Sequence, residues 1–331
     1  MAPPTPSTPG QARAVRLLAA GGTISMQGEH AVPALDATQL VSAIPELRAF
    51  PELEAENVLG LPGPQITLEQ ALMLAGRATA AAAGGEGVVI TTGTDTLEEL
   101  AMLCALTYDG EPPIVLTGAN RPASAVGADG PANLLDAISL AAAESAAGLG
   151  VVVVFGGEVH AGTAARKVDS TGPAAFASPV SGPIGRVVEG RLWLNARPLR
   201  PARLRPRTLG HRVPILTAVL GDDGELLRTA AGISDGLVVS AFGAGHVTPG
   251  MLRALREAVE RIPVVVTVRP ERGSMLHATY GFEGSERDLR ASGAVCAPFL
   301  SAPAARIAVL CCLGAGLDRG ATAAALAPWD A

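Results

Sequence analysis

A chain of 331 residues has room for one large α/β domain or two of ordinary size. Hydrophobic residues make up 48% and charged residues 17%, which excludes general disorder and leaves ample material for a buried core. The formal net charge of −6 argues against nucleic acid or anionic lipid as the main partner and suits a small neutral or zwitterionic ligand.

Aromatic residues are only 3% of the chain, so the core must be built from Ala, Val, Leu and Ile. Any chemistry that needs a phenol has two candidates, Tyr108 and Tyr280. The cysteines Cys104, Cys296, Cys311 and Cys312 show neither CxxC pairing nor histidines at zinc spacing, a pattern of buried free thiols in a reducing compartment rather than a metal site. Residues 1–12 are rich in Pro, Ser and Thr and read as a disordered tail. Neither a secretory signal nor a long uncharged apolar run is evident, so the expected location is the cytoplasm, with no membrane partner.

In chain order, AVRLLAA (14–20) predicts a strand, a helix follows near 37–44, ITLEQALMLAGRATAAAA (66–83) predicts a helix and GVVITT (87–92) a buried strand. The alternation continues with a helix at 97–108, a strand at 113–118, a helix at 132–145 and a strand at 150–156. Continuous apolar strands separated by helices require a mostly parallel sheet covered on both faces, because each crossover helix packs back onto it. RVVEGRLWLN (186–195) predicts a hairpin turning at Glu189 and Gly190. The segment RPLRPARLRPR (197–207), with five arginines among its prolines, is a solvated linker by default; without aromatic residues to stack on bases it is a poor nucleic-acid surface. Strands then recur at PILTAVL, DGLVVSAFG and PVVVTV (263–268), with helices at 249–261 and near 302–313. The fold class is therefore α/β with two domains: a larger, doubly wound N-terminal one at 13–196 and a smaller C-terminal one at 213–331, joined by a linker at 197–212.

In an open parallel sheet, ligands bind in the crevice at the carboxyl ends of the strands. That rule selects AAGGTIS, TTGTDT and TGANRP. The first two bring glycine backbone close to a ligand and follow it with hydroxyls, Thr23 on one loop and Thr94 beside Asp95 on the other. Read alone, Gly-Gly-Thr is an ordinary strand-to-loop turn: it lacks the Gly-Lys-Ser/Thr ending of a phosphate loop, and GAGHVTPG (243–250) has Thr248 where a dinucleotide motif needs glycine. TTGTDT also suits helix capping, with Thr96 and Glu99 as a capping box. A hydroxyl nucleophile needs a neighbouring base, and none of the five histidines lies in either loop. A desolvated lysine oriented by a carboxylate is the other solution. Lys167 is the only lysine in the chain, so a titratable amine is retained at one place where arginine serves everywhere else.

Taken together, GGTIS (21–25), VVITTGTDTLEE (88–99), VLTGANRPASAVGADGPANL (115–134), RKVDSTGPAAFASP (166–179), GPIG (182–185) and FGAGHV (242–247) resemble the bacterial-type L-asparaginases, in order along the chain. The resemblance implies two α/β domains, a homodimer or homotetramer with active sites at the subunit contact, and hydrolysis of an amino-acid side-chain amide through an acyl-enzyme, with no metal or organic cofactor. It implies Thr23 as nucleophile, and Thr94, Asp95 and Lys167 as the proton-handling set. Gly22, Gly93, Pro64, Gln65, His246 and Glu286 are implied as substrate-binding positions.

Three positions depart from the family pattern. The lid segment MQGEHAVPALDA has no tyrosine, which leaves Glu29, His30 or Tyr280 as stand-ins. Pro64 replaces a substrate-binding serine, so only backbone donors remain beside Gln65. His246 replaces the usual asparagine. Glu286, with Glu283 second, is the candidate for an acidic contact from the partner subunit. Two other readings stand beside the enzyme: a degenerate amino-acid-binding protein of the same fold, and a glutaminase or amidotransferase-type subunit.

Overall fold

The computed structural model describes residues 13–28 and 30–330, so the expected tail at 1–12 and the lid candidate Glu29 lie outside the described residues. The chain divides into two compact units between Arg200 and Pro201.

The first unit is built on an eight-stranded sheet of β1 (Val15–Gly21), β2 (Leu53–Leu61), β3 (Gly87–Thr91), β4 (Ile114–Thr117), β5 (Val151–Phe155), β6 (Glu158–Ala161), β7 (Gly185–Val188) and β8 (Arg191–Leu194). Its spatial order is β8-β7-β6-β5-β4-β3-β1-β2. Neighbours from β2 to β5 pair in parallel, while β5, β6, β7 and β8 pair antiparallel. The chain leaves β1 for β2 on one side and returns to β3 on the other, so the winding direction reverses between β1 and β3. Such a switch point opens a crevice at the strands' carboxyl ends.

Residues of β3, β4 and β5 are buried along their whole length, as expected of strands covered on both faces. On one face Leu17, Val89, Val115 and Val152 pack against Leu40, Leu134, Ala137 and Ile138 from the helices Ala37–Ser42 and Gly130–Ala142. The helices Leu68–Ala83 and Leu97–Thr107 pack on one another and on the same strands. Each fully buried Leu, Val or Ile contributes roughly 1.5–3 kcal/mol of transfer free energy, so a core of many such residues holds with few aromatics, Tyr108, Phe155 and Phe176 among them. The hairpin at β7 and β8 turns at Glu189 and Gly190, both at positive φ (52° and 70°), the conformation that suits a tight two-residue hairpin turn.

Two strands of this sheet, β2 and β6, have no counterpart in the sequence reading. β2 carries Glu54, Glu56 and Asn57 and mixes half-buried with exposed residues, none of them buried; as the edge strand of the sheet it lacks the continuous apolar run by which its neighbours are found. β6 is only four residues long. Without β2 the switch point does not exist, so the missed strand is the one that creates the crevice.

The second unit carries a four-stranded parallel sheet in chain order, β9 (Ile215–Thr217), β10 (Leu237–Ala241), β11 (Val264–Val268) and β12 (Val295–Cys296). Thr248 accepts the Met251 N–H at 3.1 Å and caps the helix Pro249–Val259. GAGHVTPG is thus a turn leading into a helix. All four cysteines are free and buried, and burial pushes the Cys104 thiol up to about 12. Among the described residues no group of His, Cys, Asp and Glu could hold a metal ion, and no helix is long and apolar enough to cross a membrane. A cleft of about 700 Å³ lined by His211, Arg212, Asp235 and Arg306 sits where the chain enters β9 and β10, at the amino ends of the strands.

Candidate active site

Three loops leave the carboxyl ends of β1, β2 and β3 and meet backbone to backbone. A Cβ built on Gly22 would lie 2.3 Å from the Gly93 nitrogen, and one on Gly93 would lie 2.6 Å from the Gly63 nitrogen. Both separations are far below ordinary carbon contacts, so only glycine permits this approach. Gly22 also stands at φ +83°, a conformation that costs an L side chain strain. Thr23 opens a single turn of 3₁₀ helix (Thr23–Ser25), and Pro64 and Gln65 sit in a similar turn (Gly63–Gln65) straight after β2. Gly93, Thr94 and Asp95 form the loop between β3 and the helix Leu97–Thr107.

Lys167 reaches this loop from a two-residue strand, Arg166–Lys167, paired antiparallel with Phe176–Ala177. Its Nζ donates to Thr94 Oγ1 and to Asp95 Oδ1, both at 2.8 Å. Thr94 is buried, the Lys167 side chain is 18% exposed and that of Asp95 is 61% exposed. The amine is therefore sheltered between a buried hydroxyl and a carboxylate open to solvent. Among the described residues neither the Thr23 hydroxyl nor the Thr94 N–H has a hydrogen-bond partner.

The motif ADGPAN explains how the loops hold their positions. Asp129 accepts the N–H groups of Asn120 and Arg121 at 3.0 and 2.8 Å. Asn133 donates to Gly118 O and accepts the Gly156 N–H, both at 3.0 Å, tying the loop after β4 to the end of β5. Asn120 in turn donates to Gly172 O at 2.7 Å, inside the hairpin that presents Lys167. Close by, the N–H groups of Thr171 and Gly172 hold the Asp169 carboxyl below its ordinary range, with Lys167 adding to the effect.

The other arm of that hairpin is anchored by His160 on β6, whose Nδ1 lies 3.1 Å from Ser178 Oγ in a fully buried setting. Burial lowers the His160 pKa, partly offset by Glu158. The unfolded chain therefore takes up a proton that the folded protein resists, and stability present above the ordinary value of 6.5 drains away as pH falls below it. The expected result is a melting temperature that drops more steeply below that pH in the parent than in a His160→Asn variant. Parallel curves for the two proteins would exclude His160 as the cause.

Several sequence-predicted roles change. Thr96 makes no capping bond and there is no capping box with Glu99; the Thr96 hydroxyl instead donates to Gly63 O at 3.4 Å, bracing the β2 and β3 loops. Tyr108 is buried, donates its hydroxyl to Pro112 O and has its pKa pushed up to about 12 by burial, which makes it a structural phenol. Glu98, which drew no attention in the sequence, accepts the Lys167 backbone N–H at 2.8 Å.

In the second unit Glu286 is not an exposed loop glutamate. It is fully buried at the start of the helix Glu286–Ala291, and its Oε1 accepts the N–H groups of Thr279 and Tyr280 at 2.7 and 2.8 Å. Burial acts to raise its pKa, but these backbone donors and His246 outweigh burial and lower it. Glu286 Oε2 lies 3.3 Å from His246 Nε2. The imidazole stands edge-on to Tyr280 and Phe282, each at 5.0 Å between centroids. The second acidic candidate, Glu283, is exposed and paired with Arg253 at 3.1 Å.

Residues 14–200 match the family model described as asparaginase, N-terminal, and residues 212–326 match the glutaminase/asparaginase C-terminal domain. A probable L-asparaginase of Deinococcus radiodurans is 37% identical over 312 residues, spanning 92% of this chain and 94% of that protein. A probable periplasmic L-asparaginase of Haemophilus influenzae is 30% identical over 88% of this chain and 86% of its own length. The crystal structure of a probable cytoplasmic L-asparaginase from Campylobacter jejuni superposes with a TM-score of 0.84 at 28% identity, covering 94% of this chain and 98% of that one. With a lysine, a threonine and an aspartate joined at the switch point of its first unit, and with both units matched in order, the chain belongs to the asparaginase family.

Proposed function

We propose that this protein hydrolyses L-asparagine to L-aspartate and ammonia through a threonine acyl-enzyme, in the cytoplasm. One observation carries the reading: the only lysine of the chain bridges Thr94 and Asp95 at 2.8 Å each. A binding protein has no need of a base in that position.

In this mechanism the Thr23 hydroxyl adds to the side-chain amide carbon of the substrate. Lys167 takes up the proton through Thr94, and Asp95 stabilises the ammonium that forms. The Thr94 N–H, in the turn at Gly93, receives the negative charge that develops on the amide oxygen. The C–N bond breaks as the leaving nitrogen is protonated, releasing ammonia. Water guided by Thr94 then attacks the ester, restores Thr23 and frees aspartate. With Pro64 beside Gln65, the substrate's carboxylate end is held by backbone donors and the Gln65 amide.

Purified protein should release equimolar ammonia and aspartate from L-asparagine. Binding of aspartate with no turnover of asparagine, glutamine or D-asparagine would instead favour the amino-acid-binding reading. Faster turnover of glutamine would move the preference towards the glutaminase reading that the C-terminal family description admits.

The assembly belongs to the same proposal: a homodimer or homotetramer in which His246 of one subunit, held by the buried Glu286 of its own chain, completes the site of another. Lys167→Met and Glu286→Gln proteins, each inactive alone, should regain up to about a quarter of the parent activity when unfolded, mixed and refolded together, because random pairing leaves one intact site in half of the dimers. No recovery in assembled hybrids would show that each chain builds its site alone.

A further inference from the structure

Lys167 is presented by a strand of two residues that belongs to a separate two-stranded pair, outside the eight-stranded sheet. A lysine side chain has four rotatable bonds and roughly 2 kcal/mol of rotamer entropy, so an amine hydrogen-bonded at 2.8 Å to two partners requires its main chain to be fixed as well. The helix Leu97–Thr107 does both. At its leading end Thr94 and Asp95 hold the Nζ, and in its first turn Glu98 accepts the Lys167 backbone N–H at 2.8 Å. The two ends of one residue are thus gripped by three side chains within a span of five positions. The helix is a rigid base for that grip, since Leu97, Leu100, Ala101, Met102 and Leu103 are all buried. A carboxylate also suits the first turn of a helix, where backbone N–H groups concentrate positive charge.

We propose that Glu98 is a positioning residue for the amide hydrolysis: it sets the main-chain pivot from which Lys167 reaches Thr94 and Asp95. The inference rests on the role given to Lys167 above. It differs from a general stabilising role because the effect of Glu98 must pass through the lysine amine. A displacement of about 1 Å in a catalytic group costs on the order of 10²-fold in rate, and the same factor is expected for kcat of Glu98→Ala, with KM changed much less. Glu98→Gln keeps an acceptor oxygen at the same reach and should restore kcat to within about tenfold of the parent, a charge-assisted bond being exchanged for a neutral one.

The decisive experiment is a double-mutant cycle with Lys167→Met. If Glu98 acts through Lys167, adding Glu98→Ala to Lys167→Met lowers the residual rate by less than about twofold, because the group being positioned is already gone. A further drop as large as in the parent background would overturn the proposal, as would a Glu98→Ala protein with parental kcat. Failure of the underlying mechanism is separately visible: Lys167→Met alone would then keep its rate, and the role of Glu98 would fall with it. If Glu98→Ala does not fold, the same cycle run with Glu98→Gln against Glu98→Asp decides. A lost kcat in the shorter Asp variant that vanishes in the Lys167→Met background supports the proposal, and equal losses in both backgrounds overturn it.

Discussion

Lys167→Met should leave a folded protein whose kcat for asparagine is lower by roughly 10³-fold or more, the upper part of the range for losing a general acid–base group. Methionine matches the length and apolar stem of lysine but cannot accept a proton. At 18% side-chain exposure the replacement fits the existing space, and it removes the partner of both Thr94 and Asp95. Buried Thr94 then loses its hydrogen bond, at a cost of about 1–3 kcal/mol for an unsatisfied polar group, while exposed Asp95 returns to water. The loss of rate should therefore far exceed the loss of stability. Steady-state ammonia release alongside a thermal melt separates the two, and a rate within tenfold of the parent would remove Lys167 from the mechanism. Because the chain has no other lysine, chemistry offers a parallel test. An amine-selective acylating reagent has one lysine side chain to modify, besides the terminal amino group, and loss of activity should track its modification and be slowed by aspartate.

Gly93→Ala should be nearly as damaging for a purely steric reason. The added methyl would sit 2.6 Å from the Gly63 nitrogen and 2.7 Å from its Cα. Those atoms are backbone and cannot swing away, so the loops after β2 and β3 must separate. Overpacking of this kind costs typically about 1–3 kcal/mol in stability. Because Thr94 and Asp95 directly follow Gly93, the shift passes to both partners of Lys167, and a loss of at least about 10²-fold in kcat is expected from misplacement alone. The measurement is kcat and KM on protein shown to be folded by its melting transition. Parental kinetics would mean that the three-loop contact does not set the geometry of the site.

Much of this was legible in the sequence because the relevant signals are local. β3, β4 and β5 are continuous apolar runs, the glycine-threonine pairs stand directly after strands, and a single lysine is conspicuous among 25 basic residues. What was not legible depends on contacts distant in the chain. β2 is an edge strand that carries Glu54, Glu56 and Asn57, so no continuous apolar run marks it. Glu98 reads as an ordinary acid in a helix's first turn; only the fold brings it to a backbone N–H 69 residues away. Local spacing makes Thr96 a cap, whereas its hydroxyl reaches Gly63, 33 positions away. The burial of Glu286 was hidden for a similar reason: its satisfying donors are the backbone N–H groups of Thr279 and Tyr280, and a backbone donor leaves no mark on residue identity.

The contact among Gly22, Gly63 and Gly93 also bears on how such a protein can diversify. Where a site is framed by side chains, a single codon change can widen or reshape it. Here the frame is main chain against main chain, and nearly every substitution at Gly22 or Gly93 breaks the geometry. Drift towards new substrates is therefore channelled to the rim: to Pro64 and Gln65 beside the second glycine, and to the lid segment after Thr23. The lineage can alter what enters the crevice far more readily than where the reaction happens within it.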